Sequence, residues 1–336
     1  MQELKYRALS RRPANHQRLL SLQRDLLTHY KCVTYVCDKR FLLVLMFVDY
    51  AIEPFYYERG VNFYENGQNY ALASLLSVAG PTLLEKAAFD RLLVSFQHAV
   101  KEKTAEALKA LVAAARATNW RKLPEALGPL AQYAAPECLS AIAETGVNTD
   151  AALVVLQALI SRMEVLADGP YRVEHDQSKN LLTYHDLLQR FIDHSHEIEF
   201  RLSEVANMKF PLKLTEVTQV DSKTSPAVQL ADVLIGAAIE AAKSLAGLRA
   251  SGPDPAAVMS LYADHQFIHM IPSIDFEEEQ QFRQGTQAAD LRASCKIIWN
   301  ASHNPSQIEV MYLESIRRFS RQLSKIFRFT VRNISV

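Results

Sequence analysis

From Ala227 to Ile239 every residue is apolar or small except Gln229 and Asp232, and this stretch sets the tightest limit on what the chain can fold into. Ser225-Pro226 just before it supplies a helix start, because a serine hydroxyl caps free backbone N–H groups and proline suits the first turn. The pattern predicts a helix running to about Ala250, and a helix apolar on nearly all sides belongs in an interior. Gln229 and Asp232 are three residues apart and so share a face. Burying an unpaired carboxylate costs several kcal/mol, so Asp232 must meet a metal, a cation or a set of donors, or be protonated. A structural Arg, Lys or Ser partner would also satisfy it.

Strand candidates precede this helix. Cys32-Val-Thr-Tyr-Val-Cys37 is rich in β-branched and aromatic residues and is closed by Asp38-Lys39-Arg40. Tyr171 to His175 ends in Asp176, and Leu212 to Val220 ends in Asp221. Helices are predicted from Pro13 to about His29, from about Asn180 to Asn207, and over Pro305 to Arg328, with a β-prone tail from Phe329 to Val336. Residues 41–168 read as a helical insertion carrying long helix-forming stretches, Pro81 to Ala117 and Thr149 to Leu166. The expectation is an α/β chain, helix-rich overall, forming one domain over residues 1–336 with the insertion inside it.

Composition narrows the function classes. Lys and Arg number 37 against 37 Asp and Glu, so the chain is not basic throughout and any nucleic-acid contact must be local. Ten glycines leave little material for tight turns, and neither G-x-G-x-x-G nor G-x-x-x-x-G-K-[ST] occurs, which removes the usual support for Rossmann or P-loop nucleotide binding. Cys32, Cys37, Cys138 and Cys295 lack the spacing of a zinc site and read as reduced thiols. The longest strongly apolar run, Phe41 to Val48, is too short to span a bilayer, and the N-terminus has no signal-peptide core, so no membrane partner and a cytoplasmic location are expected. Arg7, Arg11, Arg12 and Arg18 fit a surface helix better than a transit peptide.

Asp176 and Asp221 each end a strand candidate just before a helix, and in parallel α/β sheets ligands bind at the carboxyl ends of strands. Together with Asp232 they make three carboxylates available to one site. Hard divalent cations such as Mg²⁺ take oxygen ligands, and two of them about 4 Å apart activate water and stabilise the leaving oxygen of a phosphodiester.

Asp221-Ser-Lys-x-Ser-Pro-x-x-Gln-Leu-Ala-Asp232, preceded by His175-Asp-Gln-Ser178, resembles the hallmark of the domain-of-unknown-function 3800 family. Glu3-Leu-Lys5 and Val36-Cys-Asp-Lys39 are similar to its earlier motifs. The resemblance implies a ribonuclease-H-like sheet with flanking helices and a nuclease activity dependent on Mg²⁺ or Mn²⁺. It makes Glu3, Asp176, Asp221 and Asp232 the catalytic and metal-binding carboxylates, and Lys5, Lys39 and Lys223 candidates for phosphate contact. Gln229 would orient a ligand or water, while Ser178 and Ser225 shape helix starts. Members of that family open with a hairpin bearing an Asp-Glu-Ser-Gly-like motif, which this sequence lacks, so the first strands are expected to be missing. Two functions follow: a metal-dependent nuclease acting on DNA or RNA, or a catalytically silent scaffold or regulatory protein using the helical insertion for partner binding or homo-oligomerisation.

Other clusters are less specific. His175, His185, His194 and His196 with Asp186, Asp193 and Glu197 do not share helix faces in the way a helical metal site needs. His265 and His269, next to Asp264, have i, i+4 spacing but no H-E-x-x-H glutamate. Phe276-Glu-Glu-Glu279 reads as a solvated helix start, and the aromatic segment Phe55 to Tyr64 as core and loop packing.

Overall fold

The structure is a computed structural model that describes residues 3–64, 67–201, 207–245, 248 and 252–272. In chain order the helices and strands are α1 (Tyr6–Ser10), α2 (His16–His29), β1 (Thr34–Cys37), α3 (Lys39–Ala51), α4 (Glu53–Tyr57), α5 (Gln68–Leu83), α6 (Lys86–Glu102), α7 (Ala105–Arg116), α8 (Pro124–Ala131) and α9 (Pro136–Ala143). They continue as α10 (Ala151–Leu166), β2 (Tyr171–His175), α11 (Lys179–Thr183), α12 (His185–Ile192), β3 (Ile198–Arg201), β4 (Asn207–Phe210), β5 (Leu214–Gln219), α13 (Pro226–Leu245), α14 (Pro255–Met259) and β6 (Phe267–Met270). The expected helix at 305–328, the tail at 329–336, Phe276–Glu279 and Cys295 lie outside the described residues.

The chain divides into two compact units, one holding Met1–Cys37 with Asp150–His269 and the other built on Asp38–Thr149. The second unit is helical. Its core is aromatic and aliphatic, with Phe41 edge-on to Tyr70 and Phe47 edge-on to Phe96, all four almost fully buried. The stretch expected to be continuous from Pro81 to Ala117 is broken at Glu85 and Lys103, where φ is +67° and +56°, values that a right-handed helix cannot accommodate. Thr104 then restarts the chain by capping α7 through the Ala107 N–H at 3.2 Å. Tyr56 stacks on Phe63, and Arg59 lies over Phe55 with 3.5 Å to the ring centroid.

The first unit is α/β and helix-rich, with its strands in three two-stranded ribbons, β1 with β6, β2 with β5 and β3 with β4, so no single sheet forms among the described residues. β2 and β5 run parallel, and β3 and β4 antiparallel. Leu156 and Ile160 of α10, Leu188 of α12, and Phe210, Leu214 and Val217 of the strands form one buried cluster. That packing groups α10 with the strands, so the helical unit stops at Thr149. The helix expected over 180–207 is instead α11 and α12 followed by a hairpin, in which Ile198 opposes Phe210 and Phe200 opposes Met208. The apolar alternation of Ile198-Glu-Phe-Arg201 has the period of a strand. Among the described residues no helix is long and apolar enough to cross a membrane.

The expected interior position of α13 also needs correcting. Val233, Leu234, Ala237 and Ala238 are buried, but Ala227 and Ala231 are exposed and Asp232 is half-buried. One side of the helix packs on β1, α1 and α14, and the other lines open grooves. Tyr6 of α1 sits so close that a Cβ on Gly236 would lie 2.6 Å from its own Cβ. Gly236→Ala gains about 1 kcal/mol of helix propensity but must push α1 aside, at about 1–3 kcal/mol. The expected net result is a lower denaturation midpoint and a displaced Glu3–Lys5 segment, measured by urea unfolding and by the amide shifts of Leu4 and Lys5.

Candidate functional site

Residues Glu3 to Tyr6 run along the start of α13 and are fastened to it by the face that Gln229 and Asp232 share. The Gln229 side-chain oxygen accepts the Leu4 N–H at 2.8 Å, and an Asp232 carboxylate oxygen accepts the Tyr6 N–H at 3.4 Å. The Gln229 amide nitrogen donates to the Ser222 carbonyl at 2.8 Å, while the Ser222 hydroxyl donates to Glu3 Oε1 at 2.6 Å. A closed circuit thus joins the N-terminal segment, the β5–α13 turn and α13. Asp232, half-buried, accepts that one backbone N–H of Tyr6 and lies in the field of the Lys5 cation.

Lys5 Nζ lies 2.8 Å from Glu3 Oε1. Its ammonium is held above its ordinary value of 10.5 chiefly by the Glu3 hydrogen bond, with further support from the fields of Asp232 and Asp176. Glu3 is correspondingly held below its ordinary 4.5, first by Lys5 and then by the Ser222 hydroxyl. Asp176, just past the end of β2, is held below 3.8 by the Gln177 N–H first, then by Ser222 and Lys5. Its Oδ1 accepts that N–H at 2.8 Å.

Glu3, Lys5, His175, Asp176, Ser222 and Asp232 line one open cleft of about 510 Å³. It lies at the carboxyl end of β2, which pairs in parallel with β5, the position at which open α/β sheets bind ligands. Three of the four carboxylates proposed from the sequence therefore share a cleft, although they come from chain positions far apart. Asp221 does not line it: that exposed carboxylate accepts the Lys223 N–H at 2.9 Å and closes its own turn. Lys223 is exposed on the same turn and also off the cleft, whereas Lys39 is exposed at the start of α3 in the other unit. Ser178 and Ser225 sit at helix starts, accepting the Leu181 and Val228 N–H groups at 3.3 and 3.4 Å.

Ser222 and Glu174 were not singled out by sequence reasoning. Ser222 is buried between exposed neighbours, and Glu174 accepts a hydrogen bond from Ser225 and forms an ion pair with Arg172. The outward positions of a five-residue strand flanked by charge were the only signal for Glu174. Of the other clusters, the His194 and His196 rings are 5.6 Å apart, with His194 packed edge-on to Phe210 at 5.0 Å. His265 is in a short 3-10 turn and His269 in β6, so their i, i+4 spacing does not place them on a helix face.

The ionised groups give the segment a pH window. The depressed Glu3 and Asp176 values mean that their contributions are complete above the unfolded carboxylate values and are lost as pH falls through the folded ones. The raised Lys5 value means that its contribution is complete below 10.5 and is lost as pH rises through the folded value. Acidification is therefore expected to release residues 3–6 from α13, seen as movement of the Leu4 and Tyr6 amide resonances toward unstructured positions before global unfolding; invariant resonances would contradict it.

The carboxylates offer oxygen donors, the kind that a hard divalent cation takes. Among the described residues no three Asp, Glu, His or Cys side chains converge as a ligand shell. An ion here would take one or two carboxylates, with water or phosphate oxygens completing its shell, the usual way in which proteins hold Mg²⁺.

No family model matches this chain, and neither a curated protein nor a solved structure matches it. What the cleft can do follows from its own groups.

Proposed function

We propose that the chain is a metal-dependent nuclease of the ribonuclease-H-like class and that the cleft of Glu3, Asp176 and Asp232 is where it acts on DNA or RNA. The observation carrying this reading is that these three carboxylates line one cleft at the carboxyl end of a parallel strand pair. Bound Mg²⁺ or Mn²⁺ would supply charge stabilisation and an activated water there. Asp176 and Asp232 would hold the cation, Glu3 restrains Lys5, and Lys5 would offer its ammonium to a phosphate oxygen. Gln229 and Ser222 fix the segment that carries both Glu3 and Lys5. The test is cleavage of labelled single-stranded DNA, RNA and RNA–DNA hybrid with Mg²⁺ or Mn²⁺, in wild type and in Asp176→Asn and Asp232→Asn.

A second reading is favoured by Lys5. Its ammonium already partly neutralises the acidic cleft. A scaffold that has kept the fold, with the helical unit binding a partner or a second copy, would use it that way. That reading holds if Mn²⁺ does not bind at this cleft and no substrate is cut.

A further inference from the structure

A second groove of about 570 Å³ adjoins the acidic cleft, and the two share Arg172, Glu174, Ala227 and Ala231. Its floor is α10, through residues such as Leu156 and Ile160, and its roof is α13, through Leu230 and Leu234. One wall is the chain leading into β1 at Cys32 and Val33. The other is the edge of β2. The Tyr171 N–H bonds the Lys213 carbonyl and the His175 carbonyl accepts the Val220 N–H, so the odd-numbered residues of β2 face β5. The peptide groups of Arg172 and Glu174 point the other way, along the groove, and among the described residues β2 pairs with no strand but β5.

An apolar slot between two helices with peptide groups on one wall matches an extended polypeptide better than a small apolar ligand, which cannot bond those groups. Four residues of strand span about 13 Å at roughly 3.3 Å per residue. Charge identifies the far end of the occupant. The cleft into which the groove opens carries Glu3, Glu174, Asp176 and Asp232 against Lys5 and Arg172, an excess of two negative charges. We propose that the groove binds an extended peptide segment of a partner protein, pairing in parallel with β2, apolar along its length and followed by a basic residue that enters the acidic cleft.

The test uses the full chain in EDTA, so that its outcome is independent of the nuclease reading, with fluorescein-labelled Val-Ile-Val-Thr-Val-Lys as the probe. Saturable binding by fluorescence polarisation is expected. Binding should weaken about tenfold or more when Lys is replaced by Glu, when alternate amides are N-methylated, and in Ala231→Trp, which fills the slot from an exposed helix position. Circular dichroism checks that the variant is folded; the two altered peptides test the idea on wild-type protein regardless. Absence of saturable binding, or equal binding of the N-methylated or Glu-ended peptide, overturns the proposal. So does binding of decanoate but not peptide, which gives the groove to a lipid. Dimerisation abolished by Ala231→Trp without peptide binding assigns it to a second copy instead.

Discussion

Asp232→Asn and Asp176→Asn are each expected to reduce Mg²⁺- or Mn²⁺-dependent cleavage by about 100-fold or more, the scale on which removing a pre-placed charge-stabilising group acts. Both substitutions keep shape and remove a charge. Asp176 is exposed and Asp232 half-buried, so the fold is expected to persist, with circular dichroism unchanged. Asp221→Asn is the internal control: its carboxylate faces its own turn, and the variant should cut as wild type does. Undiminished cleavage by both cleft variants would remove the nuclease proposal, and a large loss in Asp221→Asn alone would move the site to the turn.

The second large effect is on stability. Glu164 is buried on α10, and its two carboxylate oxygens accept the Lys213 and Leu214 N–H groups at 2.9 and 3.0 Å, fixing the start of β5. Charge-assisted bonds of this kind contribute about 1.5–3 kcal/mol each, and their loss leaves buried backbone donors unsatisfied. Glu164→Ala is expected to cost about 3 kcal/mol or more, and Glu164→Gln, which keeps one acceptor, clearly less. Urea unfolding followed by far-ultraviolet circular dichroism measures both. Equal midpoints for wild type and Glu164→Ala would show that the β5 amides find other partners.

Legibility varied with how local the deciding interaction was. Tyr171–His175 was readable as a strand because its β-branched and aromatic content ends sharply at Asp176. The shared face of Gln229 and Asp232 was readable from spacing, and that face does hold the amides of Leu4 and Tyr6. The depth of α13 was not readable: apolar periodicity reports which side can be covered, and the groove on the Ala227–Ala231 side is open among the described residues. Asp176 and Asp221 looked equivalent, since each follows a strand; only the turn after Asp221, closed by the Lys223 N–H, directs that carboxylate away. The β3–β4 hairpin was hidden because its four-residue strands lie in a run whose charged and histidine residues also suit a helix.

The order in which the two units occur along the chain bears on biosynthesis. Thr34–Cys37 leaves the ribosome long before Phe267–Met270, with which it pairs, and the contiguous segment Asp38–Thr149 is made in between. This contiguous part of the helical unit can begin to fold on the nascent chain while β1 still waits for a neighbour, since domains fold as units as they emerge. Glu3 lies far upstream of α13 in the chain and gains its place in the cleft with Asp232 only after α13 has been made, so the cleft cannot form before that helix does.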